Sequence, residues 1–233
     1  MPPGPDETDP FEPGSLSVAG LFATPLAAVI LADHQALNAA LAERILARRE
    51  QEPGIGASNV GGWHSAEFQS WSGPAGARLL DAARRPAERL TLAETAGGGL
   101  ARATINWRVT AWANVSGAGD SNRPHGHPGA FWSGVYWVDD GGVEADGTIG
   151  GLFEMQDPRG LLPAMYAPGL HFAVDGCEDA GTARTLTPQA GMMILFPSWL
   201  SHAVTPYRGT RPRISVAFNF SYGSVSGPLG ATA

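Results

Sequence analysis

Hydrophobic residues follow two different periods along this chain, and the change falls near residue 100. Leu37, Leu41 and Ile45 recur at four-residue spacing and predict a helix over residues 33–50. A second helical pattern covers residues 75–93, although Pro86 should kink or divide it. Beyond residue 100 the chain instead carries β-branched and aromatic runs between Gly- and Pro-bearing turns, which is typical of short strands. The predicted strands lie at residues 103–115, 131–138, 150–155, 192–196 and 213–222.

The N-terminal part holds two further segments. Residues 1–14 are rich in Pro, Asp and Glu and predict a disordered tail. Residues 15–32 carry no charge, but acidic residues precede them and Pro25 interrupts them, which argues against a signal peptide or a membrane helix. We therefore expect a buried strand there, followed by Asp33 as the N-cap of the first helix.

Helices followed by short strands predict one mainly-β α+β domain. The expected architecture is a jelly-roll or cupin-like core over residues 100–222, with N-terminal supporting helices over residues 33–93. With 233 residues, 43% of them hydrophobic, the chain can bury such a core. The sequence shows no internal repeat and no linker, so residues 15–233 are expected to form a single domain.

Charge and cysteine content narrow the class of function. A formal net charge of -7 argues against a nucleic-acid binder, which needs a basic face. The one cysteine, Cys177, excludes an intrachain disulfide and a Cys-rich zinc site, and it fits a cytoplasmic protein. We expect no membrane partner, and strand edges left exposed by such a barrel favour a homodimer.

Three histidines form the candidate metal site. His125 and His127 stand at i and i+2, a spacing that directs both side chains to one side of a strand. His202 follows the predicted strand 192–196 after a short Pro-Ser turn. Imidazole suits Fe(II), Zn and Cu alike, so this spacing predicts a metal site without naming the metal. The competing interpretation is that the three rings satisfy loop hydrogen bonds, and His64 stays open between both roles.

Arginines follow the distal histidine. Arg211, Arg213 and Ser215 share one strand face by period two. A guanidinium pairs a carboxylate bidentately, so Arg213 with the Ser215 hydroxyl, or Arg211, could hold the far end of a dicarboxylate chelated to a metal. Near histidines, a distant histidine and then an arginine is the order expected of a non-haem iron oxygenase that uses 2-oxoglutarate.

Several motifs in the same order carry a resemblance to a known family. They are His-x-His-Pro-Gly-Ala-x-Trp-Ser-Gly-Val-Tyr at 125–136, Asp-Pro-Arg at 157–159, Phe-Pro-Ser-Trp-Leu-x-His at 196–202 and Arg-Ile-Ser-Val-x-Phe-Asn at 213–219. Upstream, residues 21–25, 58–59, 61–65 and 112–115 extend it. The chain resembles the bacterial and phage 2-oxoglutarate/Fe(II) oxygenase family, whose members are similar to prolyl hydroxylases.

The resemblance implies a double-stranded β-helix that holds Fe(II), 2-oxoglutarate and O2 and hydroxylates a small-molecule or peptidyl substrate. It implies metal ligands at His127 and His202, and a cosubstrate carboxylate on Arg213. The pocket positions that it implies are Asn114, Ser133 and Tyr136, to which strand parity adds Asn219.

The chain departs from the family at one ligand. Such sites use two histidines and a carboxylate, whereas His127 stands where the acid is expected. Three arrangements stay open: all three histidines bind, a distant carboxylate joins, or two histidines leave a position beside Gly129 for water or halide. The carboxylate candidates are Asp120, Asp139 and Asp157.

Two other functions stay open as well. A three-histidine cupin-type metalloenzyme without 2-oxoglutarate accounts for the imidazoles but gives Arg213 no role. A non-catalytic binding module would make the histidines structural. Under the oxygenase interpretation, substrate specificity is expected to reside in the insertion over residues 139–190.

Overall fold

A computed structural model describes residues 17, 20–95, 97–161, 165–174, 176 and 181–226. The predicted tail at residues 1–14 lies outside this part. The helices are α1 (His34–Gln51), α2 (Phe68–Trp71) and α3 (Gly73–Leu90), and a short 3-10 turn covers Gly147–Ile149. The strands are β1 (Ala27–Ile30), β2 (Asn59–Val60), β3 (Trp63–His64), β4 (Ala93–Glu94), β5 (Leu100–Ala101), β6 (Thr104–Ser116), β7 (Ser121–His125), β8 (Trp132–Asp139), β9 (Phe153–Gln156), β10 (Ala183–Leu186), β11 (Met192–Pro197), β12 (His202–Val204) and β13 (Arg213–Ser226).

Two antiparallel sheets make up the core. The larger sheet has the order β1-β11-β8-β13-β6-β3, and the smaller sheet has the order β10-β9-β12-β7-β2. β13 lies between β8 and β6, and its pairing with β6 runs from Arg213 opposite Ser116 to Ser226 opposite Thr104. This is the mainly-β jelly-roll architecture that the sequence predicts.

Alternation along the strands of the large sheet builds two apolar layers. Outward-facing side chains such as Val216 and Phe218 pack with Leu41 of α1 and Leu79 of α3 in one buried cluster. Inward-facing side chains of the same sheet, among them Trp137, form a second cluster with residues of the small sheet. Successive residues of a strand point to opposite faces, so one layer anchors the helices and the other lines the space between the sheets.

Three local expectations need correction. Among the described residues of the uncharged segment, the strand is limited to Ala27–Ile30, and it is not buried: Val29 is 42% and Ile30 53% exposed, because β1 lies at the sheet edge. Asp33 precedes α1 in a left-handed conformation, and its side chain makes no capping hydrogen bond. Pro86 does not divide α3, because Ala83 and Ala87 on either side are buried in the core and hold the helix in place.

The predicted strands are all present, with shifted ends. The sequence did not reveal β7, β10 and β12, which are short or lack an apolar run and owe their form to pairing with neighbouring strands. No helix within the described residues is long and apolar enough to cross a membrane.

Candidate metal centre

Two neighbouring strands of the small sheet bring the three histidines together. His125 ends β7 and His202 begins β12, and the two residues are direct partners across the ladder. His127 lies two residues beyond β7, where its backbone N–H donates to the Ser198 carbonyl at 2.8 Å. One nitrogen from each imidazole lies within 4.8 Å of those of the other two. Such a cluster could hold a metal ion, as the spacing predicts.

Hydrogen bonds from the far side of each ring fix two of the imidazoles. His202 Nδ1 donates to the Leu200 carbonyl at 2.9 Å, and His125 Nδ1 donates to the Arg123 carbonyl at 2.7 Å. Both bonds leave Nε2 as the nitrogen available to a metal, which is the usual arrangement around a metal-ligating histidine. Ser58 Oγ lies 3.3 Å from His125 Nε2 and lines the same cavity.

Burial holds two of the rings, those of His127 and His202, in the uncharged form that metal binding requires. Burial lowers the pKa of His127 to about 3, helped by the neighbouring His202 and His125. Burial also lowers the pKa of His202 to about 4, although its bond to Leu200 opposes the change. Phe153 and Phe196 pack on the His202 ring, with centroids 5.2 and 4.8 Å away. Neutral imidazoles in an apolar wall are chemically suited to Fe(II).

No carboxylate joins this cluster within the described part of the chain. Asp120 accepts from the Gly117 N–H at 2.7 Å in the turn after β6. Asp139 faces Arg211 at 3.5 Å, and Asp157 pairs with Arg159 at 2.6 Å. Each acid considered as a third ligand is therefore engaged elsewhere, and the three-histidine arrangement is the one that the geometry favours.

A buried cation lies in the same cavity. Arg213 is 3% exposed at the start of β13, and its Nε has no hydrogen-bond partner among the described residues. Burial lowers its pKa to about 10, while Tyr207 and Asp140 act in the opposite direction. A buried guanidinium whose Nε is unsatisfied fits the far carboxylate of a dicarboxylate. The cavity between the sheets is lined by Ser58, Trp112, Asn114, Asn122, His125, His127, Gly134, Val135, Phe153, Phe196, His202, Val204, Arg213, Ser215 and Ala217.

Two residues expected in the pocket lie elsewhere. Tyr136 faces the helices, where its hydroxyl donates to Asn38 Oδ1 at 2.5 Å. The reason is parity, because residues 133 and 136 of one strand point to opposite faces. Arg211 precedes β13 in an exposed bend and pairs with Asp139, since the strand begins only after Pro212.

Ser133 and Asn219 lie on the cavity face of the large sheet but away from Arg213. They are direct partners on β8 and β13, and the Ser133 hydroxyl donates to Asn219 Oδ1 at 2.7 Å. Strand parity puts Asn219 on the face of Arg213, Ser215 and Ala217, one step past Ala217 and away from Arg213. The pair therefore extends the cavity wall on the side away from Arg213.

Sequence reasoning missed Ser58 and Asn122 of the wall. Ser58 directly precedes the two-residue strand β2 and Asn122 lies in the polar strand β7, and both strands are too short or too polar to predict. Trp112 stood in a predicted strand, and its i, i+2 relation to Asn114 is the signal that placed it on the same face. A larger cavity, about 470 Å3, lies on the outer side of β6 around Arg49, the loop glycines and Asp120. The three histidines are absent from its wall and line the cavity between the sheets instead.

Two facing sheets with a histidine cluster and a buried arginine between them define a metal-dependent oxygenase of the double-stranded β-helix class. This chain matches, over residues 110–219, the family model described as "Putative 2OG-Fe(II) oxygenase". It is thus an enzyme that uses Fe(II), 2-oxoglutarate and O2. No curated protein gives a significant match.

Solved structures show the same fold. A prolyl-4-hydroxylase from Pseudomonas putida is 17% identical with a TM-score of 0.53, covering 86% of this chain and 93% of that one. A prolyl hydroxylase from Trichoplax adhaerens, in complex with a hypoxia inducible factor peptide fragment, is 11% identical with a TM-score of 0.56, covering 84% and 83%. The carbocyclase SnoK from nogalamycin biosynthesis is 14% identical with a TM-score of 0.58, covering 89% and 83%. At these identities the similarity establishes the fold.

Proposed function

We propose that His125, His127 and His202 hold Fe(II) and that Arg213 binds the far carboxylate of 2-oxoglutarate. The observation that supports this most is the unpartnered Nε of Arg213, buried in the cavity that the three imidazoles line. Burying a cation with an unsatisfied donor is costly, and a bound carboxylate would offset that cost. The chelating end of the cosubstrate would then face the histidines.

Each group of this chain has a role in that arrangement. Bound Fe(II), with 2-oxoglutarate and O2, supplies oxidation of an unactivated C–H bond, and 2-oxoglutarate becomes succinate and CO2. The hydrogen bonds behind His125 and His202 orient their rings. Phe153, Phe196 and Val135 give the cavity an apolar lining that would exclude water and so protect the reaction from side products.

We further propose that Asn219 contacts the substrate. Ser133 occupies its Oδ1, which leaves the Nδ2 amide as a hydrogen-bond donor at the outer level of the cavity wall. A carbonyl or carboxylate oxygen beside the oxidised carbon would suit this donor. Both peptidyl substrates, as the peptide complex of the Trichoplax enzyme suggests, and small molecules, as the origin of SnoK suggests, offer such oxygens. With a single cysteine in the sequence, we place the reaction in the cytoplasm.

An anaerobic titration tests the metal and the cosubstrate together. Metal-free protein receives Fe(II) and then 2-oxoglutarate while the visible absorption spectrum is followed. We expect a new charge-transfer band only when both are present, and succinate release after O2 is admitted. Iron binding without a band would favour the cupin-type enzyme that does not use 2-oxoglutarate. Absence of iron binding would favour the non-catalytic module.

A further inference from the structure

Tyr207 is a fully buried aromatic residue near the Arg213 end of the cavity. It lies between β12 and β13, and two backbone bonds fix its position: its N–H donates to the Asp120 carbonyl at 2.9 Å, and its carbonyl accepts from the Gly119 N–H at 2.7 Å. Neither apolar cluster of the described residues includes it. The hydrophobic core therefore does not explain why this ring is buried.

The Tyr207 hydroxyl bridges two segments of backbone. Its oxygen lies 2.8 Å from the Gly141 carbonyl oxygen and 2.6 Å from the Arg211 carbonyl oxygen, and its one proton can be donated to either. Gly141 follows the end of β8, and Arg211 precedes the start of β13. The hydroxyl thus links these two strands just beyond the point where their ladder stops.

Arg213 stands where such a link matters, because it is the first residue of β13. It pairs with Ser116 of β6, whereas the ladder between β13 and β8 begins at Ile214 and shifts its register directly afterwards. Pro212 has no backbone N–H with which to extend the pairing. Frayed ends open more readily than the centre of an element. The sheet by itself therefore holds Arg213 on one side.

Two glycines place Tyr207 and Arg213 against the same backbone. A Cβ at Gly141 would collide with Tyr207 Oη and would lie 3.1 Å from Arg213 Cβ. A Cβ at Gly151 would lie 3.0 Å from Tyr207 Cδ2 and 3.3 Å from Arg213 Cδ. The stem of Arg213 is therefore closely packed from Cβ to Cδ, and Tyr207 belongs to the same packed group.

We propose that Tyr207 is a positioning residue for Arg213: by bridging the Gly141 and Arg211 carbonyls, its hydroxyl holds the guanidinium where the far carboxylate of 2-oxoglutarate binds. The inference rests on the proposed function of the cavity. Tyr207 is absent from the cavity wall and acts through Arg213, which lines it. A side chain that is already held in its binding position loses less conformational freedom when the ligand arrives, so the ligand binds more tightly.

The test compares Tyr207→Phe with Tyr136→Phe as its matched control. Each variant removes one tyrosine hydroxyl and its hydrogen bond, but Tyr136 faces the helices, where it bonds to Asn38. Affinity of the intact Fe(II) protein for 2-oxoglutarate is measured from the charge-transfer band. We expect Tyr207→Phe to raise the dissociation constant about fivefold, the effect of one neutral hydrogen bond, and Tyr136→Phe to leave it within about twofold of wild type.

Pyruvate shows whether the loss concerns the far carboxylate, because it chelates iron like 2-oxoglutarate but lacks that group. Its affinity should be the same in wild type and Tyr207→Phe. In the Arg213→Met background, Tyr207→Phe should not weaken 2-oxoglutarate binding further, since the two residues act as one unit. A merely structural role would instead weaken both ligands alike.

Four results would overturn the inference: unchanged 2-oxoglutarate affinity in Tyr207→Phe, an equal loss in Tyr136→Phe, equal weakening of pyruvate, or effects of Tyr207→Phe and Arg213→Met that add. If Tyr207→Phe does not fold, Gly209→Ala replaces it, because a Cβ at Gly209 would collide with Tyr207 Oη and displace the hydroxyl. A fivefold loss with 2-oxoglutarate alone then supports the inference, and unchanged affinity or a loss with both ligands overturns it. Wild-type protein without any band, or unchanged 2-oxoglutarate affinity in Arg213→Met, would instead contradict the proposed function itself.

Discussion

Replacing Arg213 with methionine separates ligand binding from folding stability. Burial lowers the pKa of Arg213 to about 10, well below the ordinary value of an arginine side chain. One pKa unit corresponds to about 1.4 kcal/mol, so burying this cation costs on the order of 3 kcal/mol in the ligand-free protein. Arg213→Met removes that cost and keeps most of the side-chain volume. We therefore expect the free energy of unfolding without ligand to stay within about 1 kcal/mol of wild type, or to rise.

Affinity for 2-oxoglutarate should change in the opposite direction. Two charge-assisted hydrogen bonds contribute about 3 kcal/mol or more together, which corresponds to at least about a 100-fold increase in the dissociation constant. Urea denaturation gives the first quantity, and titration of the Fe(II) protein followed by the charge-transfer band gives the second. Arg211→Met is the matched control, since Arg211 is exposed and pairs with Asp139; its affinity should stay within about twofold.

Two results would refute this reasoning. Unchanged 2-oxoglutarate affinity in Arg213→Met would remove the residue from the cosubstrate site. Destabilisation of the ligand-free variant by more than about 3 kcal/mol would mean that the guanidinium has a structural partner whose loss leaves a buried charge uncompensated.

Three further predictions concern the rest of the site. His127→Asp creates the two-histidine, one-carboxylate set and should retain iron binding within about tenfold, whereas His127→Ala should lose it; competition with a chelator measures both. Tyr136→Phe breaks the bond to Asn38 and should cost about 1 kcal/mol of stability in urea denaturation while leaving 2-oxoglutarate affinity unchanged, and altered affinity would return Tyr136 to the pocket. In metal-free protein the depressed pKa of His202, about 4 against 6.5, means that the unfolded chain takes up a proton that the folded chain refuses, so His202 alone should lower stability by up to about 3 kcal/mol as pH falls from 6.5 toward 4. Urea denaturation in the presence of a chelator between pH 7 and 4.5 measures this decline. The free energy of unfolding should fall less steeply with pH in His202→Gln. An equal slope in the variant would assign the decline to other groups.

The histidine cluster was predictable because the local spacing and the strand order each constrain it. His125 and His127 are near neighbours in sequence, and a strand followed by a short turn delivers His202 to the ladder position opposite His125. The strand that carries His125 was not predictable. β7 reads Ser-Asn-Arg-Pro-His, with a proline and no apolar run, and it is a strand only because β12 and β2 pair with it.

The direction of side chains was predictable within a continuous strand, whereas the prediction failed where the strand ends. Period two correctly put Arg213 and Ser215 on one face of β13, but it extended the strand to Arg211, which lies beyond its first residue. The same rule, applied strictly, would have put Ser133 and Tyr136 on opposite faces of β8, as the structure has them. The register that puts His64 of β3 opposite Asn114 of β6 depends on a two-residue strand, which is too short to show a periodic pattern.

The central place of β13 in the large sheet has a consequence for how the enzyme comes to be active. β8 and β6 are neighbours only through β13, so the large sheet stays in two separate parts until residues 213–226 arrive. Pairing of β13 with β6 joins segments about a hundred residues apart, which makes it a late and slow step of folding. During synthesis His125 and His127 leave the ribosome long before His202 and Arg213. A nascent chain therefore lacks part of the proposed binding site for iron and cosubstrate. Oxidising chemistry is withheld until the last strand has closed the barrel.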